Sequence, residues 1–192
     1  MPLSAPADRE TIHTRTIECR GFLRADGLWD IEGVLRDTKN YSYKNQWRGE
    51  VAPGEPVHHM EIRITVDDAF VIRDIEAVSD ATPYQVCPDA APGLAVLKGE
   101  NIGRGWSRTV RRLVGNIKGC THLNELLGRM ATTAYQTIYP YRLRDQMIGK
   151  ITGEKPPPVL NTCHAWRDDG PVIREFYPEF FVGNNSEKPT DA

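Results

Sequence analysis

The stretch "VHHMEIRITVDDAFVIRDIEAVSD", residues 57–80, alternates apolar and polar side chains in two runs on either side of a short acidic segment. A period of two is typical of a strand with one buried and one solvated face, and two such runs joined at "DDA" predict an antiparallel hairpin. On the first run His58 shares a face with apolar residues such as Met60, and on the second run Glu76 shares a face with Ile72. The pattern predicts that His58 and Glu76 both point toward the core side of a sheet.

Other segments complete the predicted fold. The run "LWDIEGVLRD" alternates in the same way and predicts another strand, whereas residues 38–56 are too polar and too rich in turn residues for a core element. Glycines bound a short helical segment, "GWSRTVRRLVG", and residues 162–181 predict a last hairpin that turns at "DDGP".

The longest predicted helix follows "GCTHLNELLGRM", residues 119–130. Apolar residues recur at spacings of three and four from Leu123 to Ile138, with Thr121 as the predicted N-cap and an end near residues 139–142, because proline disfavours helix in its predecessor. The predicted class is α+β, with an antiparallel β-sheet of about four or more strands and a long C-terminal helix packed on one face.

Composition limits the organisation and the partners. The chain has 192 residues, 40% of them hydrophobic and 26% charged, which predicts a single α+β domain over residues 11–182 with disordered tails at 1–10 and 183–192. A net charge of -2 argues against a nucleic-acid partner. No apolar run approaches the ~18 residues of a membrane span, so we expect a cytoplasmic protein with a small-molecule substrate and no membrane partner. The sequence is compatible with a homo-oligomer as well as with a monomer.

Three segments bring sulfur or imidazole groups together: "VHHM", "GCTH" and "TCHAW", with "QVCPD" as a fourth contributor. Thiolate and imidazole are the donors of zinc and iron sites, although no CxxC or HExxH spacing is present. The candidate metal ligands are Cys120, His122, Cys163, His164, His58 and Cys87, with Zn or Fe as the cofactor. Two alternatives stay open, which are a thiol site without metal and cysteines that only pack as small hydrophobic residues.

Cys120 is also a candidate nucleophile. At a helix N-terminus the unpaired N–H groups and the helix dipole favour a thiolate. His122, with His58 or Glu76 across the fold, would then serve as the catalytic base or as the group that orients it. At 100° per residue His122 lies about 140° from the apolar stripe, so a solvent-facing His122 is the alternative.

A basic segment precedes the same helix start. Arg108 and Arg111 are candidates for binding a substrate carboxylate or phosphate, and Trp106 for contacting an aromatic ring. The alternative interpretation is a solvated basic helix face with a tryptophan in the core.

The strings "GLWDIEGVLRDTK", "GEPVHHMEIRITVDD", "GCTHLNELL" and "NTCHAW" resemble an uncharacterised bacterial family, the domain of unknown function 2889, over residues 20–180. The resemblance implies functional positions at His58, Glu76, Cys87, Cys120, His122, Cys163 and His164. His59 departs from the family pattern, which resembles an acidic residue there. The resemblance also implies a loose association with the catabolism of aromatic compounds. The predicted fold has a fainter likeness to iron-sulfur scaffold domains.

The sequence is compatible with three functions. The first is a metal- or thiol-dependent enzyme, a hydrolase or lyase, acting on a small carboxylate, aromatic or CoA-linked substrate. The second is a non-catalytic accessory protein that carries a metal, an iron-sulfur cluster or sulfur. The third is an interaction module whose cysteines are only packed.

Overall fold

The computed structural model describes residues 3–144, 156–157 and 159–183. Its strands are β1 (His13–Leu23), β2 (Trp29–Lys39), β3 (Tyr43–Asn45), β4 (Gly49–Val51), β5 (Pro56–Val66) and β6 (Ile72–Ala81), and its α-helices are α1 (Trp106–Val114), α2 (Thr121–Leu143) and α3 (Pro171–Phe176). Four strands form an antiparallel sheet in the order β1-β2-β5-β6. The prediction of an α+β fold with a long helix is confirmed.

The chain divides into two compact units, Met1–Tyr139 and Pro140–Ala192. The first unit contains the sheet, α1 and most of α2, and the second contains α3 and a 3₁₀ turn at His164–Trp166. The single domain over residues 11–182 stays a prediction, and the predicted tail at 183–192 lies almost wholly outside the described residues. Within the described ranges no helix is both long and apolar enough to cross a membrane.

The hairpin predicted from residues 57–80 is present as β5 and β6. Its turn is held by the Asp67 carboxylate, which accepts hydrogen bonds from the backbone N–H groups of Ala69 and Val71, both at 2.9 Å. An aspartate that bonds the backbone two residues on is a common turn device. The acidic "DDA" segment therefore acts as the sequence predicts.

Helix α2 covers one face of the sheet because two glycines let it come close. A Cβ on Gly33 of β2 would lie 2.8 Å from the Met130 sulfur, and a Cβ on Gly21 of β1 would lie 2.0 Å from the Thr137 hydroxyl. The helix residues predicted to be apolar and inward are almost all fully buried, namely Leu123, Leu126, Leu127, Met130, Ala134 and Ile138. The core therefore lies between the sheet and α2, and residues of α1 such as Trp106 and Val110 extend it.

The ends of α2 differ slightly from the prediction. The helix begins at Thr121, and the Cys120 carbonyl accepts the hydrogen bond of the Asn124 N–H at 3.0 Å. Cys120, not Thr121, thus holds the capping position. The helix also continues through Pro140 to Leu143, since the φ angle of proline suits a helix and only one backbone hydrogen bond is lost.

Two local predictions are wrong, the loop at residues 38–56 and the hairpin at residues 162–181. Residues 38–56 contain the small hairpin of β3 and β4, and Val51 in it is fully buried. Residues 162–181, predicted as a hairpin, form 3₁₀ turns and α3 instead. The reason is Pro171, which occupies the first turn of α3 after Gly170, where a proline has no N–H to leave unpaired.

The close approach of α2 to the sheet predicts that Gly21→Ala destabilises the protein. The added Cβ would lie 2.7 Å from the Thr137 Cβ, and overpacking of this kind costs about 1–3 kcal/mol of unfolding free energy. Urea denaturation measures the change. Gly128→Ala is the matched control, because that position has nothing within 4 Å of a Cβ and alanine favours helix by about 0.5–1 kcal/mol. Equal stability of Gly21→Ala and the unaltered protein would contradict the packing.

Candidate functional site

The core face of the sheet changes from apolar to ionic at one end. In the strand register Arg15 of β1 pairs with Asp37 of β2, and Asp37 pairs with His58 of β5. These three side chains lie on the same face of the sheet as the buried Leu35 and Met60, which are two residues from Asp37 and His58 along their strands. The sheet therefore places a guanidinium, a carboxylate and an imidazole side by side.

Asp37 is the centre of this row, and only 2% of it is exposed. Arg15 donates two hydrogen bonds to it, from Nε to Oδ1 and from Nη2 to Oδ2, both at 2.7 Å. His58 Nδ1 donates to Oδ2 at 3.0 Å, and His13 Nε2 lies 3.2 Å from Oδ1. A buried carboxylate is costly without such partners, and the bidentate arginine is the strongest kind of partner.

Helix α2 brings its first turn to the same carboxylate. The His122 ring lies over the His58 ring with centroids 3.8 Å apart, and His122 Nε2 is 3.9 Å from Asp37 Oδ2. Arg15 uses its third nitrogen, Nη1, to donate a 2.6 Å hydrogen bond to Glu125 on α2. One arginine therefore ties the buried carboxylate of the sheet to the start of the helix.

The Cys120 thiol lies at the other nitrogen of His122. Its Sγ is 3.8 Å from His122 Nδ1, and both residues are half-buried. The Cys120 thiol therefore lies next to the His122 imidazole, which in turn lies next to the Asp37 carboxylate. The solvent-facing alternative for His122 is excluded, because 23% of its side chain is exposed and its ring lies against His58.

Burial keeps the imidazoles neutral. It lowers the pKa of His58, and the nearby His122 lowers it further although Asp37 acts in the opposite direction. Burial, followed by the charge of Arg15, also lowers the pKa of His122. For Asp37 burial acts to raise the pKa, but Arg15 and then His58 outweigh it, so the carboxyl pKa lies below its usual value. A neutral imidazole beside a charged carboxylate suits a general base or a metal ligand.

A cleft of about 540 Å³ opens over Cys120, His122 and His58. Its lining contains four of the ligands predicted from sequence, namely His58, Cys87, Cys120 and His122. The described residues also contain a group of three possible metal-ligand atoms within 4.8 Å of one another, from Asp37, His58 and His122. The structure thus brings together two of the three sulfur and imidazole segments, and Cys87 as well.

Asp37, Arg15 and His13 were missed by sequence reasoning. For Asp37 a signal was present, because it lies two residues beyond Leu35 and so belongs to the inward face of the same strand. Arg15 carries no such signal, since its place opposite Asp37 depends on the register between β1 and β2.

Glu76 does not face the core as predicted. Its side chain is 67% exposed and pairs with Arg63 at 2.9 Å on the solvated face of the sheet. The register of β6 shifts between its pairings with Thr65 and Val66, and a one-residue bulge of this kind exchanges the two faces. A catalytic Glu76 in this cleft has no support from the fold.

The basic segment of α1 lies away from the cleft lining. Trp106 is a core residue, 6% exposed, and its indole N–H donates to the Leu127 carbonyl at 3.1 Å. A substrate contact by Trp106 stays a prediction. Arg111 borders a separate depression of about 350 Å³, and Arg108 is exposed. Anion binding by Arg108 and Arg111 stays a prediction.

Cys163 and His164 belong to the second unit. Cys163 is exposed and precedes the 3₁₀ turn His164–Trp166. Their predicted part in a metal site stays a prediction.

The profile of a family described as protein of unknown function, DUF2889, matches residues 13–136. The chain belongs to the DUF2889 family. The matched range runs from β1 into α2 and contains Asp37, His58, Cys120 and His122, so the whole ionic row and the thiol lie within the DUF2889 domain. It ends before Cys163, so the C-terminal part of the resemblance noted from sequence lies outside the match. No curated protein and no solved structure matches the chain.

The depressed histidine pKa values predict a pH dependence of the stability of this DUF2889 protein. In the unfolded chain these histidines take up protons near pH 6.5, whereas burial lowers the pKa of His58 and His122 in the folded protein. The unfolded state therefore binds more protons as the pH falls below about 6.5, and the free energy of unfolding decreases.

Urea midpoints measured between about pH 7.5 and 5.5 test this dependence. His58→Gln should flatten the profile, and His59→Gln, on the opposite face of β5, should keep it. A wild-type midpoint that stays constant over this range would contradict the prediction.

Proposed function

We propose that this protein is a thiol-dependent hydrolase of small acyl thioesters, with Cys120 as the nucleophile. The observation that carries the proposal is the 3.8 Å approach of Cys120 Sγ to His122 Nδ1 in the lining of a cleft. A nucleophile next to a base that is itself next to an orienting group is the arrangement that covalent catalysis requires. Distances somewhat longer than a hydrogen bond are common before substrate binds.

The environment supports the tautomer that the mechanism needs. The carboxylate of Asp37 lies on the Nε2 side of His122 and favours a proton on that nitrogen. The Nδ1 atom is then left without a proton and faces the thiol. Asp37 stays charged because Arg15 holds both of its oxygens.

The reaction follows from this arrangement. The Cys120 sulfur attacks the acyl carbon while its proton passes to His122 Nδ1, and the N–H groups of the first turn of α2 stabilise the oxyanion. The leaving thiolate takes the proton from His122 and departs, which leaves an acyl-enzyme. His122 then removes a proton from water, the hydroxide attacks the acyl carbon, and the acid is released with Cys120 regenerated.

The compartment and the wider role belong to the same proposal. The cysteines of the chain are free, which suits a reducing compartment such as the cytoplasm. A CoA thioester is a substrate of this chemical class, and a place in aromatic-compound catabolism is part of the proposal through the family resemblance.

The first test is Cys120→Ser. A weaker nucleophile at this position should lower kcat/KM for an acyl thioester by at least about 100-fold, because the thiol is far more nucleophilic than a hydroxyl. Release of free thiol from the thioester measures the rate, and circular dichroism checks the fold. Cys19→Ser is the matched control, since Cys19 is a half-buried thiol of β1 that does not line the cleft. Full turnover by Cys120→Ser would refute the proposal.

A metal carrier is the second candidate, favoured by the group of Asp37, His58 and His122. Tetrahedral zinc with ligands at 2.0–2.2 Å needs ligand atoms roughly 3.3 Å apart. The two nitrogens lie 3.0 and 3.9 Å from the shared Asp37 oxygen, so a small shift would suffice. Against this candidate, Arg15 places a positive charge directly on the same carboxylate.

Elemental analysis and zinc titration distinguish the two functions. A carrier should hold close to one equivalent of zinc or iron, and His58→Gln should weaken that binding at least about tenfold. His59→Gln is the control, because His59 belongs to a separate exposed group with Glu61 and Asp80. Protein that hydrolyses thioesters in EDTA with less than about a tenth of an equivalent of metal would exclude a role for metal in the reaction.

A further inference from the structure

The mouth of the cleft carries large apolar side chains that the fold does not bury. Ile117 is fully exposed, Val86 is 71% exposed and Tyr84 is 51% exposed, and all three line the same cleft as Cys120. They come from two different segments, since Ile117 lies in the 3₁₀ turn before α2 and Val86 and Tyr84 precede the 3₁₀ turn at Cys87–Ala90. Apolar side chains gathered at a cleft mark a binding surface more often than isolated ones do.

One basic and one acidic side chain line the cleft, so their charges cancel. Lys118 and Asp89 both border the cleft, and the Lys118 ammonium already donates to the Arg112 carbonyl at 3.2 Å. The floor contains Met60, which is 1% exposed. An entering group therefore meets apolar walls and no excess of either charge.

The size of the cleft suits a small molecule. Its volume of about 540 Å³ falls within the range of about 300–1,000 Å³ that is usual for ligand pockets. Such pockets are mostly apolar, with a few polar groups that fix the reacting end. Here Cys120, His122 and His58 are among the polar groups of the lining, and Ile117, Val86 and Tyr84 are its exposed apolar groups.

We propose that the cleft selects acyl groups with an apolar chain of about four to eight carbons, because the side chains of Ile117, Val86 and Tyr84 would cover the chain while its carbonyl lies at Cys120. This inference rests on the proposed hydrolase function and names its substrate class. An acetyl group is too short to reach the mouth. An acyl group with several charges of one sign would find no net compensating charge there, because Lys118 and Asp89 balance each other.

Chain length gives the first test. Each buried methylene is worth about a fourfold gain in binding, so hexanoyl thioester should exceed acetyl thioester in kcat/KM by at least about tenfold, even with partial burial. Ile117→Ser should reduce this preference at least about twofold, since serine removes one of the three exposed apolar side chains that line the cleft. Val96→Ser is the matched control, because Val96 is 51% exposed and does not line the cleft.

A labelling experiment tests the cleft independently of catalysis. Cys120 is alkylated with N-methylmaleimide or N-hexylmaleimide, peptide mapping separates it from Cys87, and free cysteine supplies the intrinsic rate of each reagent. The hexyl reagent should label Cys120 at least about tenfold faster than the methyl reagent after this correction. Ile117→Ser should reduce that advantage at least about twofold, and Val96→Ser should retain it.

The two experiments separate the two proposals. Labelling that prefers the hexyl reagent without any thioester hydrolysis would overturn the hydrolase and leave the apolar cleft. Hydrolysis that is equal for acetyl and hexanoyl thioesters would overturn the chain selectivity and leave the hydrolase. Equal corrected labelling rates, or no labelling of Cys120 by either reagent, would overturn the apolar binding surface.

Discussion

The site depends on one buried charge, the carboxylate of Asp37, and on the arginine that holds it. A carboxylate with 2% exposure at the end of an apolar sheet face would be strongly destabilising alone. Arg15 compensates it with two hydrogen bonds and reaches Glu125 on α2 with a third nitrogen. The same contacts that make the charge tolerable therefore fix the helix start, and with it Cys120 and His122, against the sheet.

The elements that position the site were predictable where the pattern is local. Alternation along residues 57–80 places His58 on the inward face, and helical spacing after Cys120 gives α2 its buried stripe. A pattern within one segment does not determine the register in which neighbouring strands pair. Arg15 and Asp37 are 22 positions apart and belong to different strands, and the contact of His122 with His58 joins a helix to a strand, so neither follows from spacing within one element.

The errors have equally specific causes. Strict alternation along β6 assigns Glu76 to the core face of the sheet. A register shift between Thr65 and Val66 exchanges the core and solvated faces between Ile72 and Glu76. Residues 162–181 contain turn residues that suit a hairpin, yet Pro171 is equally suited to the first turn of a helix, and the helix forms. Both errors come from signals that are ambiguous without knowledge of what each segment packs against.

The electrostatics at Asp37 favour thiol chemistry over metal binding. A divalent cation bound to Asp37 would lie close to the Arg15 guanidinium, whose nitrogens already occupy both carboxylate oxygens at 2.7 Å, and like charges at such range repel strongly away from water. A neutral thiol and imidazole meet no such repulsion. When a proton moves from Cys120 to His122, the imidazolium that forms lies beside the Asp37 carboxylate. The Asp37 carboxylate would stabilise the imidazolium of the proposed reaction, although the charge of Arg15 acts in the opposite direction. The double charge of a metal ion next to the guanidinium would be opposed more strongly than the single charge of the imidazolium.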